Sequence, residues 1–65
     1  MDVGRFVKDV LETGAVFVTF SKGKVSIACR RKDILEVRDV LSKYGCHIQS
    51  QKGKGGMVYL VIDGI

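Results

Sequence analysis

Apolar residues recur along the chain with two different periods. Val3, Phe6, Val7, Val10 and Leu11 stand at i, i+3, i+4, i+7 and i+8, one face of a helix, so residues 2–13 are predicted helical. Asp2 is the expected N-cap and Gly14 the expected C-terminal stop. Gly4 inside this segment costs up to about 1 kcal/mol relative to Ala. Residues 15–20 are β-branched and aromatic and predict a strand. Ser21-Lys22-Gly23 predicts a turn, and residues 24–30 return with Val25, Ile27 and Cys29 alternating against Lys24, Ser26, Ala28 and Arg30.

The helical period resumes at residues 33–44, with Ile34, Val37, Val40, Leu41 and Tyr44 as the apolar stripe and Gly45 as the stop. Asp33 with Glu36 three residues on predicts a capping box. Residues 46–51 alternate again, with Cys46, Ile48 and Ser50 against His47, Gln49 and Gln51. Lys52 to Gly56 reads as a glycine-rich turn, and residues 57–62 close a second hairpin with Val58, Leu60 and Ile62 inward.

The order helix, hairpin, helix, hairpin suggests one αββ unit used twice, with halves at approximately 2–31 and 32–65 of a single domain, 1–65. Val7-Lys8-Asp9-Val10-Leu11 matches Val37-Arg38-Asp39-Val40-Leu41 at an offset of 30. The expected fold is α+β: a four-stranded antiparallel sheet with two helices packed on one face. The expected inward set is Val25, Ile27, Cys29, Ile48, Val58, Leu60 and Ile62, with Val16, Val18 and Phe20 from the first strand, where Phe17 competes for the inward side. The opposite face then holds Phe17, Lys24, Ser26, Arg30, His47, Gln49, Gln51, Met57 and Tyr59, too apolar for plain surface and too polar for a core.

Composition narrows the classes. At 65 residues and 46% hydrophobic, the chain is long enough for one small core and too apolar for disorder. A domain this size gains from burying more surface, which makes a homodimer an expected partner. The longest apolar run, Met57 to Ile62, is far short of a membrane span. Asp2 and Glu12 fall where a secretory signal would need a basic head and an apolar stretch. Two unpaired cysteines without metal-ligand spacing point to a reducing, cytoplasmic setting, with no metal and no cofactor. Lys52-Gly53-Lys54-Gly55-Gly56 is not a P-loop, and His47 is the only histidine, so no enzymatic activity and no small-molecule substrate is expected.

Charge points elsewhere. The net charge is +4, yet residues 2–13 and 33–42 are each net acidic, while residues 14–32 hold five cations and no acid. Following the chain direction, Lys22, Lys24 and Lys43 gather at one end of the sheet, and Arg30, Arg31, Lys32, Lys52 and Lys54 at the other. Two cationic clusters about 20 Å apart, joined by a face carrying Phe17 and Tyr59, suit the phosphate backbone of DNA or RNA with rings free to stack on bases. The expected function is nucleic-acid binding through this face and the two Lys-Gly-Lys hairpin tips. The alternative is a homodimeric interaction module associating through the same face.

The αββαββ order resembles that of the LAGLIDADG-type homing endonucleases, which carry duplex DNA on a saddle-shaped sheet. The resemblance is of element order. The family's acidic helix-end motif is missing, since the helices here end at Thr13 and Tyr44. Val61-Ile62-Asp63-Gly64 echoes part of it on a terminal strand, so the resemblance implies no activity for these residues.

Overall fold

The computed structural model describes residues 2–63. Helix α1 spans Val3–Thr13, strands β1 and β2 span Ala15–Ser21 and Lys24–Arg30, and helix α2 spans Ile34–Lys43. Strands β3 and β4 span Ile48–Lys54 and Met57–Asp63. The four strands form one antiparallel sheet in the order β1-β2-β4-β3, so the two hairpins meet along β2 and β4, and β1 and β3 are the edges. Gly64 of the motif echo lies outside the described residues.

Both helices lie on one face. Phe6 and Val10 of α1 and Val37 and Leu41 of α2 are fully buried against Val25, Ile27, Cys29, Leu60 and Ile62, with Val58 close behind. Burying each such side chain contributes about 1.5–3 kcal/mol before the entropy of ordering it is set against this. The alternation in β2 and β4 is obeyed throughout, because these central strands are paired on both sides and their register has no freedom to slip.

Helix ends account for several boundaries. Asp2 caps α1: its Oδ1 accepts from the Arg5 N–H at 3.1 Å. Gly14 ends that helix at φ 141°. The end of α2 is a Schellman closure, with the Gly45 N–H donating to the Ser42 carbonyl and the Cys46 N–H to the Leu41 carbonyl, both at 3.0 Å, and Gly45 at φ 72°. The capping box expected at Asp33 does not form. A 3₁₀ turn over Arg31–Asp33 precedes α2, and Asp33 sits at φ −102°, ψ 4° with no side-chain cap bond. That backbone is already turning, whereas a capping side chain needs the extended geometry that Asp2 has.

Both edge strands depart from the alternation read in the sequence. A bulge between Ala15 and Phe17 makes Ala15 the inward residue and leaves Val16, expected inside, 45% exposed. A second bulge between Ile48 and Ser50 reverses the parity of β3. Gln51, expected on the bare face, pairs with Leu60 on the helical side, and His47 precedes the strand. The stretch expected as a turn, Lys52 to Gly56, is mostly strand: only Gly55-Gly56 turn, with Gly55 at φ 62°.

Candidate functional site

The sheet face that the helices leave bare is built from cross-strand rows. One row is Phe17, Ala28, Tyr59 and Lys52, one residue from each strand in the order β1, β2, β4, β3. Ala28 is fully buried although it lies on the bare face, so its larger neighbours close over it. Phe17 remains 47% exposed and Tyr59 half-buried. The rings stand two strands apart, roughly 10 Å at the usual strand spacing. Above this row lie Arg30, Met57 and Lys54; below it lie Thr19, Ser26, Val61 and Ser50; at the lower end lie Ser21, Lys24 and Asp63.

Electrostatically the molecule is two-sided. The helices and their caps carry Asp2, Asp9, Glu12, Asp33, Glu36 and Asp39 against four cations. The sheet, its turns and the Arg31–Lys32 link carry seven cations, and Asp63 is the one acidic side chain among them. Asp63 faces Lys24 across β2 and β4, so the upper part of the bare face, with Arg30, Lys52 and Lys54, has no acidic side chain among the described residues.

The two Lys-Gly-Lys segments are placed differently. In the first, Lys22 and Gly23 are the two turn residues, both with positive φ (51° and 76°), the sign pattern of a type I′ hairpin turn, and Lys24 begins β2. The second is not a hairpin tip. Lys52-Gly53-Lys54 lies within β3, and strand alternation puts both lysines on the bare face. The hairpin turns sit at opposite corners of the sheet, about 25 Å apart by strand length and spacing.

Two residues of the expected cationic set stand at their expected ends of the molecule but are engaged by neighbours. Arg31 is engaged within the fold: its N–H donates to the Gly56 carbonyl at 2.9 Å and its Nη2 to the Gly55 carbonyl at 3.0 Å. Its guanidinium lies against Gly53, where a Cβ would meet Nη2 at 2.7 Å. Arg31 thus pins the link between β2 and α2 onto the second hairpin. Lys43 belongs to the helical layer, 3.5 Å from Asp39 at (i, i+4), near Asp2, Arg5, Asp9 and Tyr44. Lys32 is exposed in the 3₁₀ turn beside Arg30.

Other reactive groups are structural in placement. Burial, with the Asp33 carboxylate adding to it, pushes the Cys29 thiol above its usual range, and burial does the same for Cys46. Both thiols are therefore protonated at neutral pH. Among the described residues no three His, Cys, Asp or Glu side chains converge on a point that would hold a metal ion. No helix among them is long and apolar enough to cross a membrane.

The signal missed in the sequence was the parity of β3. Gly55-Gly56, a better turn than Lys52-Gly53, was the clue that the lysines are strand residues. Comparison with protein-family models and with curated proteins finds no match to this chain.

Proposed function

We propose that this protein binds nucleic acid on the bare face of its sheet. Lys24, Arg30, Lys52 and Lys54 hold backbone phosphates, Lys22 and Lys32 extend the cationic track beyond the strands, and Phe17 and Tyr59 support unpaired bases. The observation that carries this reading is the row Phe17–Ala28–Tyr59–Lys52: two rings on a level floor, with a lysine beside one of them and no carboxylate in the row. Aromatic faces stack on any base, and lysines beside them track the phosphates, the combination used for single strands.

The alternative, association of two copies through this same face, meets its own charge. Face-to-face packing would bring four cations of one copy against four of the other, with Asp63 as the sole acidic side chain among the described residues of each face. Both readings bury Phe17 and Tyr59, so mutation of the rings alone does not separate them, but the response to salt does.

The test is fluorescence anisotropy with labelled single-stranded and duplex oligonucleotides of equal length, repeated from low to physiological salt. Single strands bind more tightly, and the logarithm of the affinity falls linearly with the logarithm of salt concentration. Replacing Lys22, Lys24, Lys52 and Lys54 by Gln flattens that line, by roughly 0.7 for each single-strand phosphate that is no longer neutralised. Phe17→Ala and Tyr59→Ala each weaken single-strand binding by about 1–3 kcal/mol with the salt slope unchanged. Absence of binding at low salt, or an affinity that ignores both salt and the four lysines, overturns the proposal.

A further inference from the structure

The edge of the molecule formed by α1 and β1 carries an apolar seam that the fold leaves open. On the helix, Val3, Val7 and Leu11 repeat at i, i+4 and i+8; on the strand, Phe20 and Val18 lie on the helical face beside them, and Val16, the unpaired residue of the bulge, stands at the upper end. Val3 and Leu11 are each 42% exposed, Val16 45% and Phe20 49%, while Val7 and Val18 in the middle are half-buried. Val3 and Phe20 line the same shallow hollow, so the lower ends of the two rows are level. Four helical residues rise about 6 Å and two strand residues about 6.6 Å, which keeps Val7 level with Val18, and Leu11 close to level with Val16.

From this geometry we infer that the seam is the interface of a homodimer, in which β1 pairs antiparallel with β1 of a second copy and the two α1 helices pack antiparallel above the junction. A two-fold axis at the height of Val7 and Val18 sets Val3 and Phe20 of one copy against Leu11 and Val16 of the other. Such an isologous contact requires a patch that matches its own reversal, and this one does, with equal exposure at both ends.

Three further observations favour a second copy as the occupant. First, β1 is an edge strand without a single charge from Ala15 to Ser21, whereas the other edge, β3, is guarded by Lys52 and Lys54. A neutral strand pairs with itself without setting like charges opposite each other. Second, the same axis sets the Lys22 turn of one copy, about 13 Å from the axis by strand rise, just past the negative end of α1 in the other, about 9 Å from it by helix rise, a complementary pair of charges. Third, Gly4 lies beside Val7 and Leu11 on the flank of the stripe, and a Cβ there would meet only its own cap, Asp2, at 3.5 Å. Nothing among the described residues of the subunit requires a glycine at that place, but close approach of a second helix does.

The edge is about 23 Å long by strand rise, on a molecule 17 Å in its shortest extent, so roughly 400 Å² is presented in projection by each copy. Two copies together bury at most about 800 Å², less than the roughly 1,000 Å² of a stable specific interface, so the dimer is weak and dissociates on dilution. Because the axis is perpendicular to the sheet, the dimer has one continuous eight-stranded sheet with both bare faces on the same side.

Sedimentation equilibrium over a hundredfold concentration range tests the inference. The expected mass rises from the 7.2 kDa monomer to twice that value. Val16→Lys with Phe20→Lys holds the protein at monomer mass with its far-ultraviolet circular dichroism intact, and Phe17→Ser, on the bare face, leaves the dimer unchanged. Amide exchange on the unmodified protein checks the same point without a mutation: N–H groups of β1 that point away from β2 become protected as concentration rises. A mass of 7.2 kDa at every concentration overturns the inference, as does a dimer abolished by Phe17→Ser and retained with the two lysines.

Discussion

At the scale of single residues, the most constrained polar contact joins the helices. Tyr44, at the end of α2, donates its hydroxyl to the Asp9 carboxylate of α1, and its ring meets Phe6 edge-on at 5.2 Å and 87°. The hydrogen bond to Asp9, then burial and the nearby carboxylate charge, raise the Tyr44 phenol above its ordinary value of 10.0. The folded state therefore holds this proton more tightly than the unfolded chain does. Its contribution to stability is complete below about pH 10 and is lost as pH rises through the folded value. Urea unfolding of the wild type and Tyr44→Phe between pH 8 and 11 reads this directly: the wild type loses stability more steeply on the alkaline side. Parallel curves for the two proteins would remove Tyr44 from the alkaline response.

Gly14 is the other decisive residue. At φ 141° it closes α1 in a conformation that side chains rarely adopt, and a Cβ there would stand 2.9 Å from the Cβ of Asp33. Gly14→Ala therefore strains the backbone and pushes the end of α1 away from the start of α2. The expected loss is about 1–3 kcal/mol, read as a lower urea midpoint. An unchanged midpoint would show that the two helix ends yield freely.

At the scale of elements, the central and edge strands differ in how much of them could be read in advance. In β2 the alternation places Val25, Ile27 and Cys29 inside, and in β4, apolar from Met57 to Ile62, pairing with β2 sets Val58, Leu60 and Ile62 opposite them; both strands are held by neighbours on both sides. In β1 and β3 one extra residue is absorbed at a bulge, and everything on one side of it changes face. Phe17 follows one bulge on the bare face, and Lys52 and Lys54 reach that face through the other. A bulge leaves little trace in composition, since it is a compromise between pairing with a neighbour and packing on helices. That is why the aromatic and basic row was only partly legible in the chain.

The helices divide in the same way. The stripe Phe6, Val10 and the stripe Val37, Leu41 follow from period alone, and Asp2 and Gly45 behave as their residue types suggest. The start of α2 does not: a 3₁₀ turn over Arg31–Asp33 precedes it, with Arg31 held by the Gly55 and Gly56 carbonyls of the second hairpin. Leu35 is 76% exposed on α2, and nothing in the structure explains an apolar side chain there.

At the scale of the whole molecule there is one core, shared by two helices and one sheet. Its members come from α1, α2, β1, β2 and β4, so a single cooperative unfolding transition is expected. Leu41 is fully buried in this core. Leu41→Ala is expected to remove about 2–5 kcal/mol, which is comparable with the total stability of a domain this small. Thermal melting followed by circular dichroism should show the whole signal disappearing in one transition at a much lower temperature. Survival of the sheet after loss of helical signal would mean that the layers fold separately.

The residue periods, the cap types and the charge segments were enough to determine an α+β chain with two helices on one side of an antiparallel sheet. They also confined nearly all the acids to the helices and most of the cations to the strands and turns. These are local properties, set by which side chains can share a helix face or a strand face. The order β1-β2-β4-β3, the parity of the edge strands, the capture of Arg31 and the open seam along α1 and β1 were decided only by tertiary packing. Each depends on how distant segments meet. A shift of one residue at a bulge leaves the local pattern almost equally satisfied while changing what the surface presents.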